Sequence, residues 1–156
     1  MLTIRKILCP TDFSDPSYVG LKAANDLAIH FSAELLLVHV VTPPHFYPTI
    51  PTGGVGANNP LYVEEMVKSS EKAMSEAIKN TISPDLEVRS TVLEGNPADQ
   101  IVDLAASENV DMIVIATHGS TGWRRLIFGS VAERVVRQAG CPVFTVPAPQ
   151  EEAKEE

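Results

Sequence analysis

Short, largely apolar runs, each followed by a segment of helical period, set what this chain can fold into. Met112 to Ala116 has the length and composition of a strand buried on both faces, Ile4 to Cys9 and Leu35 to Val41 are two further apolar strands, and Pro142 to Val146 is the last strand. A further run, Glu87 to Leu93, alternates. Val88, Ser90 and Val92 share one face, and Glu87, Arg89 and Thr91 share the other. A strand polar on one side belongs at a sheet edge.

Four helices are expected between the strands. Ser14 caps the first, with Pro16 in its first turn. It runs to about Phe31 with Leu21, Ala24, Leu27, Ala28 and Phe31 as its core face. The second runs from Leu61 to about Thr81 with Val63, Met66, Val67, Ser70, Ala73, Met74, Ala77 and Ile78 as its stripe. Asn96 and Pro97 open the third, which turns Ala98, Ile101, Val102 and Ala105 inward. The fourth spans Ser130 to Ala139, with Val131, Val135 and Val136 inward and Gly140 as its stop.

Strands alternating with helices imply a parallel, doubly wound sheet with helices on both faces. Strand orders 2-1-3-4-5 and 3-2-1-4-5 both suit this pattern. The half-polar third strand belongs at an edge, which selects 3-2-1-4-5. Strands one and four are then neighbours at the switch point, where such sheets bind ligands at the strands' carboxyl ends.

Two loops meet there. The loop after strand one carries Asp12, a carboxylate able to accept hydrogen bonds from sugar hydroxyls or to cap the helix that follows. The loop after strand four carries Gly119, Gly122 and Gly129 and ends at Ser130, where the fourth helix begins. Glycines admit close backbone approach, and a helix N-terminus offers unpaired N–H groups at its positive end. A nucleotide or phosphorylated ligand follows as the expectation. Arg124 and Arg125 flank this loop; one reaches a phosphate, or both are solvated. His118 lacks an identifiable nucleophile beside it and is read as structural or ligand-contacting.

The 156 residues suit one domain. A net charge of −8 and a pI near 4.9 argue against a nucleic-acid or anionic-membrane surface. Cys9 and Cys141 make no disulfide framework, and the histidines show no metal-ligand spacing. The start of the chain is too soon charged for a signal peptide, and no run has the length of a membrane span. A cytoplasmic location is the default expectation. Thr42 to Pro60 holds five prolines and three glycines and reads as a flexible loop or a lid. Walker, dinucleotide and nucleophile-elbow motifs are absent from the sequence, and no convincing acid follows strand three for a receiver-type phosphoacceptor.

These segments resemble the universal stress proteins from about Ile4 to Val146. KILCPTDFS is similar to the family's first strand and acidic turn, LLLVHVV to its second strand. THGSTGWRRLIFGSVAERVVRQAGCPVFTV is the most specific match. The nucleotide-binding branch carries glycine, two residues, glycine, nine residues, then glycine and serine or threonine. Here Gly119 and Gly129-Ser130 fit, and Ala116 stands at the first glycine.

The resemblance implies a Rossmann-like, adenine nucleotide alpha hydrolase-like domain over 1–147, and Glu151, Glu152, Glu155 and Glu156 make 148–156 read as an acidic disordered tail. It implies Pro10, Asp12, Val40 and Ile115 around adenine and ribose. Ala116, Gly119, Gly129, Ser130 and Val131 would hold the ribose-phosphate part. The ligand would be ATP, or AMP or cyclic AMP, with magnesium on the phosphates. A homodimer through Pro142 to Val146 and a role in stress response are also implied, with at most slow ATP hydrolysis or autophosphorylation. The alternative, for which Ala116 speaks, is a dimeric interaction module that binds no nucleotide.

Overall fold

A computed structural model describes residues 3–43, 60–117 and 128–147. The elements are β1 (Lys6–Pro10), α1 (Asp15–Phe31), β2 (Glu34–Val41), α2 (Pro60–Thr81), β3 (Val88–Glu94), α3 (Pro97–Ser107), β4 (Met112–Ala116), α4 (Ser130–Gln138) and β5 (Val143–Val146). The strands form one parallel sheet in the order β3-β2-β1-β4-β5, as the half-polar third strand required.

The period-two alternation of the strands sorts their side chains into two cores. Ile7, Cys9, Leu35, Leu37, Met112 and Val114 face α1 and α2, where Leu21, Ala24, Ala28, Met74 and Ala77 close over them. Leu8, Leu36, Val38, Ile113 and Ile115 face α3 and α4, against Ala98, Ile101, Ala105, Ala132 and Val135. Ser14 caps α1 and accepts from the Ser17 amide, and Asn96 caps α3 and accepts from the Asp99 amide.

The structure corrects several expectations. Phe31 is 40% exposed, because it is the last residue of α1 and the chain turns away through left-handed Ser32. Val136 is 44% exposed: α4 is short and meets the sheet through Ala132 and Val135, which turns Val136 outward. Gly140 does not stop α4 by a left-handed turn; the helix ends at Gln138 and Ala139 leaves it extended. In β3, Ser90 is exposed and Val92 and Leu93 are both half-buried, so the two-faced alternation holds only in part at this edge. The 42–60 loop beyond Pro43 and before Pro60, and the tail from 148, lie outside the described residues.

The amino end of the sheet carries a charge cluster. Lys6 Nζ lies 3.1 Å from Glu108 Oε2 and 3.8 Å from Glu34 Oε2. Arg89 pairs with Glu34 through Nε and with Glu108 through Nη2, the latter at 2.7 Å. The Asp111 carboxylate accepts from the Arg5 and Lys6 amides at 2.8 and 3.0 Å. Arg89 and Lys6 together pull the Glu108 carboxyl down to about 2.

Candidate functional site

At the carboxyl end, β1 runs into a loop fastened to its neighbours. The Thr11 amide donates to the Val38 carbonyl at 2.9 Å, continuing the sheet by one bond. The Thr11 hydroxyl lies 3.0 Å from the Ser17 hydroxyl, both buried, and accepts from the Phe13 amide at 3.1 Å. Phe13 adopts a left-handed φ of 63°. That conformation costs a bulky L-residue roughly 1–2 kcal/mol, so its surroundings must hold it. The Phe13 ring packs on His39 with centroids 4.6 Å apart, and His39 Nδ1 lies 2.8 Å from the Thr11 carbonyl oxygen. The Asp12 Oδ1 atom accepts from both the Ser14 amide, at 3.0 Å, and the Ser14 hydroxyl. Asp12 therefore braces the residue that caps α1, while its side chain stays exposed.

On the other side, the Thr117 amide donates to the Val146 carbonyl at 2.9 Å, and the Gly129 amide donates back to the Thr117 carbonyl. The chain thus leaves the sheet and re-enters α4 at one point. Gly129 is the N-cap, with an extended φ of −71° open to any residue, so what it supplies is the lack of a side chain. Unlike α1 and α3, α4 receives no capping bond from its N-cap side chain. Its first-turn amides, those of Ser130 and Val131 among them, have no partner within the helix, and both residues line the crevice between the two loops.

Between these loops lies a crevice of about 110 Å³, lined by Pro10, Asp12, Ser17, Ile115, Ala116, Thr117, Gly129, Ser130, Val131 and Ala132. Pro10, Asp12, Ile115, Ala116, Gly129, Ser130 and Val131 were expected here from the sequence. Val40 is not on this wall; it is half-buried on the α3 and α4 side, paired in register with Leu93. Gly119, His118, Arg124 and Arg125 lie outside the described residues.

Ser17, Thr117 and Ala132 were missed. Ser17 follows the cap Ser14 by three residues, a spacing that returns a helical side chain to the face of its own N-terminus. Ala116 shares the parity of Met112 and Val114, so its methyl turns toward α1. There a β-carbon built on Gly20 would stand 3.4 Å from the Ala116 Cβ. Glycine at position 20 gives the methyl its room.

The crevice has acceptors on one wall and donors on the other. Among the described residues no three histidine, cysteine or acidic side chains cluster as metal ligands. Cys9, buried in the core on the α1 and α2 face, is pushed up to about 12 by burial and is unsuited to act as a nucleophile. Among the described residues no helix is long and apolar enough to cross a membrane.

This architecture has known relatives. The universal stress protein MJ0531 of Methanocaldococcus jannaschii is 36% identical over 148 residues, covering 95% of this chain and 85% of that one. MJ0577, a universal stress protein of the same organism, is 30% identical over 154 residues, covering 91% of this chain and 94% of that one. The solved structure of MJ0577 matches with a TM-score of 0.75 over 95% of this chain and 99% of that one, at 26% identity. Two further structures share the fold at lower identity. One is a universal stress protein in complex with cAMP, with a TM-score of 0.62, 21% identity and coverage of 92% of this chain and 97% of that one. The other, from Archaeoglobus fulgidus in complex with dAMP, has a TM-score of 0.56, 22% identity and coverage of 93% and 98%. The sequence profile of the Universal stress protein family matches residues 3–147, the whole sheet and every helix described above. With the sheet order, the two converging loops and that match in agreement, the chain belongs to the universal stress protein family.

Proposed function

We propose that this protein binds an adenine nucleotide, ATP in the first place, at the crevice between β1 and β4, and acts as a cytoplasmic stress-response sensor or regulator. The observation that carries the proposal is the pairing of opposite hydrogen-bonding walls in one crevice. The Asp12 carboxylate accepts, as ribose hydroxyls require. The start of α4 donates, as a phosphate requires. The family members solved with cAMP and dAMP support an adenylate ligand.

Pro10, Asp12 and Ile115 would border the sugar and base, with Val40 further along the base. Ala116, Gly119, Gly129, Ser130 and Val131 would hold the ribose-phosphate part. Magnesium would come with the phosphates and supply charge neutralisation there. At most slow hydrolysis or autophosphorylation is part of the proposal. A homodimer through Pro142 to Val146 is part of the proposal. β5 is an edge strand, Phe144 on it is 46% exposed, and Val136 on the neighbouring helix is 44% exposed.

The test is mass spectrometry of nucleotide released from the purified protein, then calorimetric titration with ATP, AMP and cyclic AMP in the presence of magnesium. Gly129→Gln, which puts a side chain at the mouth of the crevice, is expected to abolish ATP binding. An unchanged affinity in that variant refutes the site. The second reading is a dimeric interaction module without nucleotide, favoured by Ala116 at the first glycine of the motif. No heat from any of the three ligands at millimolar concentration would select it.

A further inference from the structure

We propose that His39 is the positioning residue of the acidic loop: through the Thr11 carbonyl and the Phe13 ring it sets where the Asp12 carboxylate stands. The inference rests on the nucleotide reading of the crevice only for its consequence, not for its geometry. His39 lies on β2 in parity with Leu35 and Leu37, both fully buried core positions of the α1 face. An apolar side chain would satisfy that face. The histidine instead spends a ring nitrogen on the loop of the neighbouring strand, 2.8 Å from the Thr11 carbonyl. A carbonyl has no proton to give, so Nδ1 carries the hydrogen and donates it.

That carbonyl belongs to the peptide unit that leads into Asp12. The Thr11 amide is already held by the Val38 carbonyl. With both ends of Thr11 fastened to β2, the plane of the Thr11–Asp12 peptide is fixed, and with it the exit direction of the Asp12 side chain. The next residue, Phe13, is left-handed, with its ring against the His39 ring at 4.6 Å and 34°. One side chain thus holds the residues on both sides of Asp12 without touching the crevice, which His39 does not line.

A pair of substitutions separates this role from general packing. Asparagine places its amide nitrogen where His Nδ1 stands; glutamine places it where Nε2 stands, one atom too far for the Thr11 carbonyl. The assay compares ATP with 2′,3′-dideoxy-ATP by calorimetry, since the missing hydroxyls are the partners proposed for Asp12. Wild type is expected to prefer ATP by about tenfold or more, and Asp12→Ala to lose the preference. His39→Asn should keep it, and His39→Gln should reduce it to within about threefold. Without ligand, amide exchange at Phe13 and Ser14 should rise about tenfold in His39→Gln and stay near wild type in His39→Asn.

If both variants keep the preference for ATP and the slow amides, the proposal is overturned. If both lose them equally, the donor position is irrelevant and the proposal is again overturned. If wild type takes up no ATP, the nucleotide reading fails, and the amide exchange alone decides the role of His39.

Discussion

Gly20→Ala offers a test of how α1 and β4 fit together. In an exposed helix this change stabilises by about 1 kcal/mol, because alanine has less backbone freedom to lose. Here the added β-carbon would stand 3.2 Å from the Ala116 backbone nitrogen and 3.4 Å from its Cβ. β4 cannot easily retreat. It is paired with β1 on one side and with β5 on the other, and Ala116 itself pairs in register with Val146. Overpacking of this kind costs roughly 1–3 kcal/mol. The two effects oppose, and the clash wins by about 1 kcal/mol, which lowers Tm by about 2–4 °C in a domain of this size. Ala116→Gly removes the 3.4 Å neighbour but not the backbone nitrogen, so it should rescue only in part. A coupling of roughly 0.5 kcal/mol is expected in the double-mutant cycle. Urea unfolding of the four proteins reads it. A Gly20→Ala protein more stable than wild type, with no coupling to Ala116→Gly, would refute the argument.

Other outcomes follow from the same structure. In the native protein a thiol reagent should modify half-exposed Cys141 and spare Cys9 until urea unfolds the chain; a Cys9 that reacts as fast as Cys141 contradicts its burial. Glu108 titrates at about 2 in the folded state against 4.5 ordinarily, so the stability it lends is complete above about pH 4.5 and drains away as pH falls toward 2. The urea midpoint should therefore drop more steeply over that window in wild type than in Glu108→Gln, and parallel curves would remove the cluster from the account. Phe144→Arg, on the exposed side of β5, should shift the proposed dimer to monomer in light scattering at micromolar concentration without unfolding it; an unmoved mass sends the interface elsewhere.

Much of the fold was readable because local chemistry and global arrangement agree. Ser14, Pro16, Asn96 and Pro97 mark helix starts by their own side chains. The half-polar β3 alone decided the strand order, and that order brought the loops of Asp12 and Ser130 together. What escaped the sequence depends on partners far along the chain. The outward turns of Phe31 and Val136 reflect where each short helix end meets the sheet, which helical period does not encode. Left-handed Phe13 could not be foreseen, since nothing in its own chemistry favours that conformation; His39 and Thr11 supply the reason. Val40, which the resemblance implies near the base, packs with Leu93 on the α3 and α4 side of the sheet.

The cluster of Lys6, Glu34, Arg89 and Glu108 has a consequence at the opposite end of the molecule. Each pair is worth little as a surface contact. Their value is in alignment: Lys6 and Glu34 are register partners on β1 and β2, and a slip by one residue would part them and send the side chains of the slipped strand to the core on the wrong face of the sheet. The strands are thus indexed from their beginnings. Their far ends are thereby relieved of setting the register, and the loops there can vary in sequence while the sheet still assembles in step.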